Sequence, residues 1–147
     1  MTIAITGATG QLGRLVVARL RSKAPSEPLV ALVRSPAKAA DLGIPAREAD
    51  YARPETLVGA LAGIATLLLI SSSEVGQRAI QHRNVIQAAK QAGVKRIVYT
   101  SLLHADTSPL SLAPEHRETE SMLKAAGIPF FFFNDTATTE IYTGSVA

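Results

Sequence analysis

Apolar positions along the chain fall into two alternating patterns. Continuous runs at 3–6, 28–33, 66–70 and 96–100 have the length and composition of strands, and the more polar segment 46–50 reads as a short third strand in chain order. Between them, apolar residues recur every three or four positions, the spacing of a helix face. Leu12, Leu15, Val16 and Leu20 mark the first such segment. A short helix opened by Pro54 is predicted over 55–61, and a long one over 76–92 turns Ile80, Val85, Ile86, Ala88 and Ala89 inward and stops at Gly93. Another spans 115–126 and ends at Gly127, while His82 reads as an exposed or half-exposed helix residue. Strands alternating with helices predict a doubly wound α/β fold on a parallel sheet, Rossmann-like in plan.

The first strand-to-helix junction carries Thr6-Gly7-Ala8-Thr9-Gly10-Gln11-Leu12-Gly13. Glycines three apart at such a junction suit three tasks: a tight turn, close approach of backbone N–H groups to a pyrophosphate, and close packing of helix on strand. The free N–H groups and dipole of the helix N-terminus then favour an anion. A tight turn without a ligand is the plainer reading, but strand before and helix after are the context a dinucleotide site requires.

Further candidates stand where the other strands end. The second strand finishes on Arg34, 21 residues after Gly13, where an NAD site carries an acid and an NADP site uses arginine for the 2′-phosphate. Lys38, beyond a Ser35-Pro36 helix start, offers a second charge; a solvated strand end is the alternative for Arg34. Asp50 follows the third strand, either at an adenine or as a turn or N-cap residue. Ser71-Ser72-Ser73 follow the fourth, beside a cofactor's ribose and nicotinamide or as an ordinary serine loop. Ser101 and His104 lie beyond the fifth.

Composition narrows the classes. A length of 147 residues allows one domain, and the absence of cysteine removes disulfides, thiolate nucleophiles and thiolate metal sites, which suits the cytoplasm. The first residues are a core strand rather than a signal peptide, and the apolar run 64–70 is too short to span a membrane. The net charge of +3 comes from scattered Lys and Arg, with no block longer than Lys95-Arg96 and no interleaved aromatics, which argues against nucleic acid. His82, His104 and His116 lack metal-ligand spacing, so no metal is expected.

The glycine run, together with Ser71-Ser72-Ser73-Glu74-Val75-Gly76-Gln77-Arg78 and Tyr99-Thr100-Ser101-Leu102-Leu103-His104-Ala105-Asp106, resembles the NmrA-like branch of atypical short-chain dehydrogenases, in particular the bacterial type 2 NAD(P)H:quinone oxidoreductases. The resemblance covers residues 1 to about 128. It implies NADPH as cofactor, bound by Gly7, Gly10, Gly13 and Arg34, with Thr9, Gln11, Leu12, Asp50, Ser71, Ser72 and Ser73 completing the expected cofactor set. It further implies a substrate lobe after the sixth strand. Here Phe130–Phe133 lead instead into Asn134-Asp135-Thr136-Ala137-Thr138-Thr139-Glu140, which resembles translated sequencing-adapter read-through. A dinucleotide-binding domain over 1–129 and an unrelated tail over 130–147 are therefore expected, the phenylalanines having the β propensity to act as a sixth strand.

The tyrosine–lysine pair of ordinary short-chain dehydrogenases is absent, since Glu55, Leu103 and Val146 stand four residues after the three tyrosines. A quinone tolerates that loss because the hydroquinone anion is far less basic than an alkoxide, so the enzyme's task is chiefly positioning. Ser101 or His104 are candidate hydrogen-bond donors to the developing oxyanion, or merely structural. A small-molecule quinone is the expected partner of the parent protein, a homo-oligomer is compatible with it, and the fragment itself is expected to be inactive. The competing class is a non-catalytic NADP-binding redox sensor, which would bind cofactor without consuming it.

Overall fold

A computed structural model describes residues 1–101 and 110–133. Six strands, β1 (Ile3–Thr6), β2 (Leu29–Val33), β3 (Ala46–Glu48), β4 (Thr66–Leu69), β5 (Arg96–Thr100) and β6 (Phe130–Phe133), form one sheet in the order β3-β2-β1-β4-β5-β6. Every neighbouring pair is parallel. The connections carry helices α1 (Gln11–Lys23), α2 (Leu57–Ala60), α3 (Arg78–Ala92) and α4 (Ala113–Ala126), with 3-10 segments at Pro36–Leu42 and Pro54–Thr56. The chain winds outward from β1 to β3, then returns to lay β4 on the other side of β1. This reversal opens a crevice above the carboxyl ends of β1 and β4.

Strand residues alternate between two apolar layers, as a parallel sheet covered on both faces requires. Ile5, Ala31 and Val33 pack with Val17 of α1 and Leu42 on one face. Val30, Leu32, Leu67, Leu69, Ile97 and Tyr99 pack on the other with Leu57, Val85, Ala89 and Leu123 from α2, α3 and α4. The expected sixth strand forms: Phe130 and Phe132 join this second core, and the Ile97 N–H reaches the Pro129 carbonyl at 2.9 Å.

Two helix faces differ from the apolar spacing. In α1 the inward stripe runs through Gly13, Val16, Val17 and Leu20, and Leu12 and Leu15 are exposed. In α3 the buried positions are Arg78, Gln81, His82, Val85, Ile86, Ala88 and Ala89, whereas Ile80 is 54% exposed. His82, expected near solvent, is 0% exposed. In both helices the end nearest the crevice has non-apolar residues on its inward stripe, a glycine in α1 and polar side chains in α3. An apolar count therefore rotates the predicted face. The predicted boundaries shift by only two residues: β3 ends at Glu48, α3 begins at Arg78 and α4 at Ala113.

Candidate functional site

The turn from β1 into α1 shows why its three glycines differ. Gly7 has φ +59°, a left-handed conformation that other residues adopt at a cost, and its carbonyl accepts the Gly10 N–H at 3.0 Å. At Gly13 a Cβ would lie 2.1 Å from the Gly7 oxygen and 2.6 Å from the Ala8 Cα, so only glycine lets α1 sit against the turn. Gly10 has ordinary extended angles, φ −77° and ψ 175°, and a Cβ there meets only the Gly7 oxygen, at 3.4 Å. Among the described residues nothing demands glycine at position 10. What a side chain there would fill is the cavity that Gly10 lines.

The N-terminus of α1 has no side-chain cap and no acid in its first turn. Among the described residues no side chain caps its first N–H groups, an arrangement that suits an anion. Arg14, which sequence reasoning missed, braces the turn by donating from Nε to the Thr9 carbonyl at 3.0 Å and from Nη1 to Asp41 at 2.8 Å.

A cavity of about 310 Å³ lies over the carboxyl ends of the strands. It brings together Gly7, Thr9 and Gly10 from the turn, Arg34 from the end of β2, Asp50 and Tyr51 after β3, and Ser71, Ser72, Ser73 and Glu74 after β4. Gln11, Leu12 and Gly13 begin α1 directly after the lining residue Gly10 and are not themselves among the lining residues. Arg34 is extended and exposed, its Nη1 3.9 Å from Glu74 Oε1, while Lys38 is also exposed. Asp50 lines the cavity and also makes a turn bond, its Oδ1 accepting the Ala52 N–H at 2.9 Å.

The loop after β4 is held by side chains from four directions. Three successive backbone N–H groups donate to side-chain acceptors: Ile70 to Thr6 Oγ1 at 2.9 Å, Ser71 to Thr100 Oγ1 at 2.8 Å, and Ser72 to His82 Nε2 at 2.9 Å. Two carbonyls are also taken, that of Ile70 by the Tyr51 hydroxyl at 2.9 Å and that of Ser72 by Arg78 Nε at 2.5 Å. The Ser72 hydroxyl donates to Gln81 Oε1, so of the serine triplet it is the one turned to an internal partner.

Burial pushes the Tyr51 and Tyr99 hydroxyls well above their ordinary range, so neither is a ready proton donor. Tyr99 is wholly buried with its hydroxyl 2.5 Å from His116 Nδ1. The Ser101 hydroxyl donates to a carboxylate oxygen of Glu120, and Ser101 is not among the cavity's lining residues. His104 lies outside the described residues. Among the described residues no three His, Asp or Glu side chains converge as a metal site, and no helix is long and apolar enough to cross a membrane.

The geometry fits a dinucleotide, and a family model described as NAD(P)H-binding matches residues 7–139. The chain belongs to the NAD(P)H-binding family. Its sequence is 59% identical to Quinone oxidoreductase 2 of Escherichia coli over 97% of this chain and 51% of that protein. Among solved structures, an NADPH complex of the NADPH-dependent quinone oxidoreductase from Escherichia coli superposes with a TM-score of 0.83 at 61% identity, covering 90% of this chain and 47% of that one. Triphenylmethane reductase from Citrobacter sp., complexed with NADP(H), gives a TM-score of 0.85 at 43% identity over 88% of this chain and 48% of that one. The chain spans about half the length of the curated relatives it matches. The likeness to quinone oxidoreductases expected from the three sequence runs is thus borne out, as is the Rossmann-like fold.

For this NAD(P)H-binding chain, the residues that sequence reasoning missed, besides Arg14, are Thr6, Tyr51, Arg78, Gln81 and His82. Each supports the crevice from beneath or behind. Their signal was weak: they are polar residues that by composition alone read as exposed.

Proposed function

We propose that the chain binds NADPH across the crevice and that the whole protein passes a hydride from it to a quinone. The observation that carries the cofactor assignment is the pairing of an uncapped, acid-free α1 N-terminus with the open side of Gly10 in one cavity. In this reading the N–H groups of Gln11, Leu12 and Gly13 receive the pyrophosphate, and Thr9 and Gly10 shape the approach to it. Arg34 pairs with the 2′-phosphate in place of Glu74, and Asp50 stands at the adenine edge. Ser71 and Ser73 meet the nicotinamide half, with Ser72 holding the loop between them. Likeness to the NADPH-dependent relatives supports this choice of cofactor.

The reduced nicotinamide supplies a hydride that, with one proton from water, turns a quinone into a hydroquinone. Water can finish the protonation of the weakly basic hydroquinone anion, so a quinone needs no protein acid in the cavity. What the protein must supply is orientation, which in favourable cases accounts for about 7–11 kcal/mol of a barrier. His104 remains a candidate hydrogen-bond donor to the quinone oxygen, and Ser101 becomes one only if its hydroxyl turns away from Glu120. A domain boundary at about residue 129 is also proposed. Phe130–Phe133 close the sheet physically even if they begin an unrelated tail, and the family match runs on to residue 139.

Following NADPH absorbance with a soluble quinone, for this chain and for one extended to the full length of its relatives, tests the proposal. The extended protein should consume cofactor, and this chain should bind it with little turnover. Binding without consumption by the extended protein would instead identify a redox sensor.

A further inference from the structure

Ser72 is gripped at every polar atom by the first turns of α3: its N–H by His82, its carbonyl by Arg78 and its hydroxyl by Gln81. The partners also fix the state of the histidine. Because the Ser72 N–H can only donate, His82 Nε2 must accept, so the ring is neutral with its proton on Nδ1. That proton points at Thr119 Oγ1, 2.9 Å away, and the Thr119 hydroxyl donates its own hydrogen to the Glu115 carbonyl at 2.9 Å. One oriented chain therefore runs from the backbone of α4 through Thr119 and His82 to the Ser72 amide, between Ser71 and Ser73. His82 and Thr119 are both wholly buried, so water cannot substitute for either link.

We propose that His82 is a positioning residue for the nicotinamide half of the crevice: held by Thr119, it fixes the Ser72 amide and so sets where Ser71 and Ser73 stand in the cavity. The proposal rests on the dinucleotide reading above. In a sheet of this strand order each half binds one mononucleotide, β1–β3 the adenine side and β4–β6 the other. Loosening the loop after β4 should therefore harm the nicotinamide side alone.

The test uses the 147-residue chain and two variants. His82→Leu keeps bulk but removes the acceptor, whereas His82→Gln restores one near the place of Nε2. Titration calorimetry with NADPH and with adenosine 2′,5′-bisphosphate, which lacks the nicotinamide half, is combined with hydrogen exchange at the Ser72 amide. His82→Leu should weaken NADPH roughly tenfold while changing the bisphosphate less than about twofold. Ser72 should lose protection in that variant, and His82→Gln should recover both within about threefold. If His82→Leu does not fold, Thr119→Val, which frees the ring to turn, should show the same NADPH-selective loss. Equal weakening of both ligands, unchanged NADPH binding, or no recovery with glutamine overturns the proposal. Failure of the wild type to bind either ligand overturns the dinucleotide reading itself, a different result from selective binding that ignores His82.

Discussion

Alanine at Gly13 and alanine at Gly10 should fail in opposite ways. At position 13 the added carbon would stand 2.1 Å from the Gly7 oxygen, with the Gly7 carbonyl carbon at 2.8 Å and the Ala8 Cα at 2.6 Å. All three are backbone atoms, so no side chain can swing aside. Restoring a 3.4 Å separation from the oxygen requires α1 to retreat by about 1.3 Å, pulling Val17 from its contacts with Ile5 and Ala31. Overpacking of this kind costs about 1–3 kcal/mol, and a backbone clash places it at about 3. That is a large part of the ~5–15 kcal/mol of a typical domain. At position 10 the carbon meets the same oxygen at 3.4 Å on a backbone that alanine adopts freely. A slightly poorer N-cap is offset by a less flexible unfolded chain, for a net change within about 0.5 kcal/mol. Urea denaturation should therefore show Gly13→Ala strongly destabilised and Gly10→Ala unchanged, while calorimetry shows Gly10→Ala unable to bind NADPH. Normal NADPH affinity in Gly10→Ala, or equal destabilisation of the two variants, would refute this account of the turn.

Arg34→Ala should weaken NADPH by about 1.5–3 kcal/mol, the worth of a charged hydrogen bond, and leave NADH nearly unchanged; equal losses by calorimetry would make Arg34 structural. Glu74→Gln removes the carboxylate that competes for Arg34 at 3.9 Å, so NADPH should bind a few-fold tighter relative to NADH, and no change in that ratio would dismiss the competition. Burial, then the neighbouring His116 and Arg78, lowers the His82 pKa from 6.5 to about 3. The unfolded chain thus takes up a proton below about pH 6.5 that the folded chain refuses. The His82 contribution is complete above that pH and shrinks by about 1.4 kcal/mol per unit on acidification until the folded pKa is reached. Urea midpoints at pH 7, 6 and 5 should fall more steeply for the wild type than for His82→Gln, and parallel slopes would contradict the buried neutral ring.

The succession of strands and helices and the glycine turn were legible because they rest on local signals: continuous apolar runs, helix periodicity, and glycines at a strand-to-helix junction. Arg34, Asp50 and the serine triplet were legible for a related reason, since a parallel sheet delivers the residue after each strand to the same rim. The support beneath the rim was not. Arg78, Gln81 and His82 look like one exposed polar turn until α4 is packed over them and the loop after β4 is found to need partners. Asp50 could be read either way from sequence, because an Asx turn and a ligand contact ask for the same residue. The inward face of α1 was misjudged because a glycine, invisible to an apolar count, occupies its crevice end.

Amide chemical-shift mapping with NADPH tests the central claim most directly, since it locates the ligand residue by residue. Titration into the isotope-labelled chain should move the backbone signals of Gly10, Gln11, Leu12 and Gly13, those of Arg34, and those of Ser71 and Ser73. Arg21, Gly43 and Arg47, which line the hollow at the opposite end of the sheet, should stay still. Shifts confined to that opposite end, or saturation that leaves the β1–α1 turn unmoved, would contradict the assignment of the crevice as the dinucleotide site.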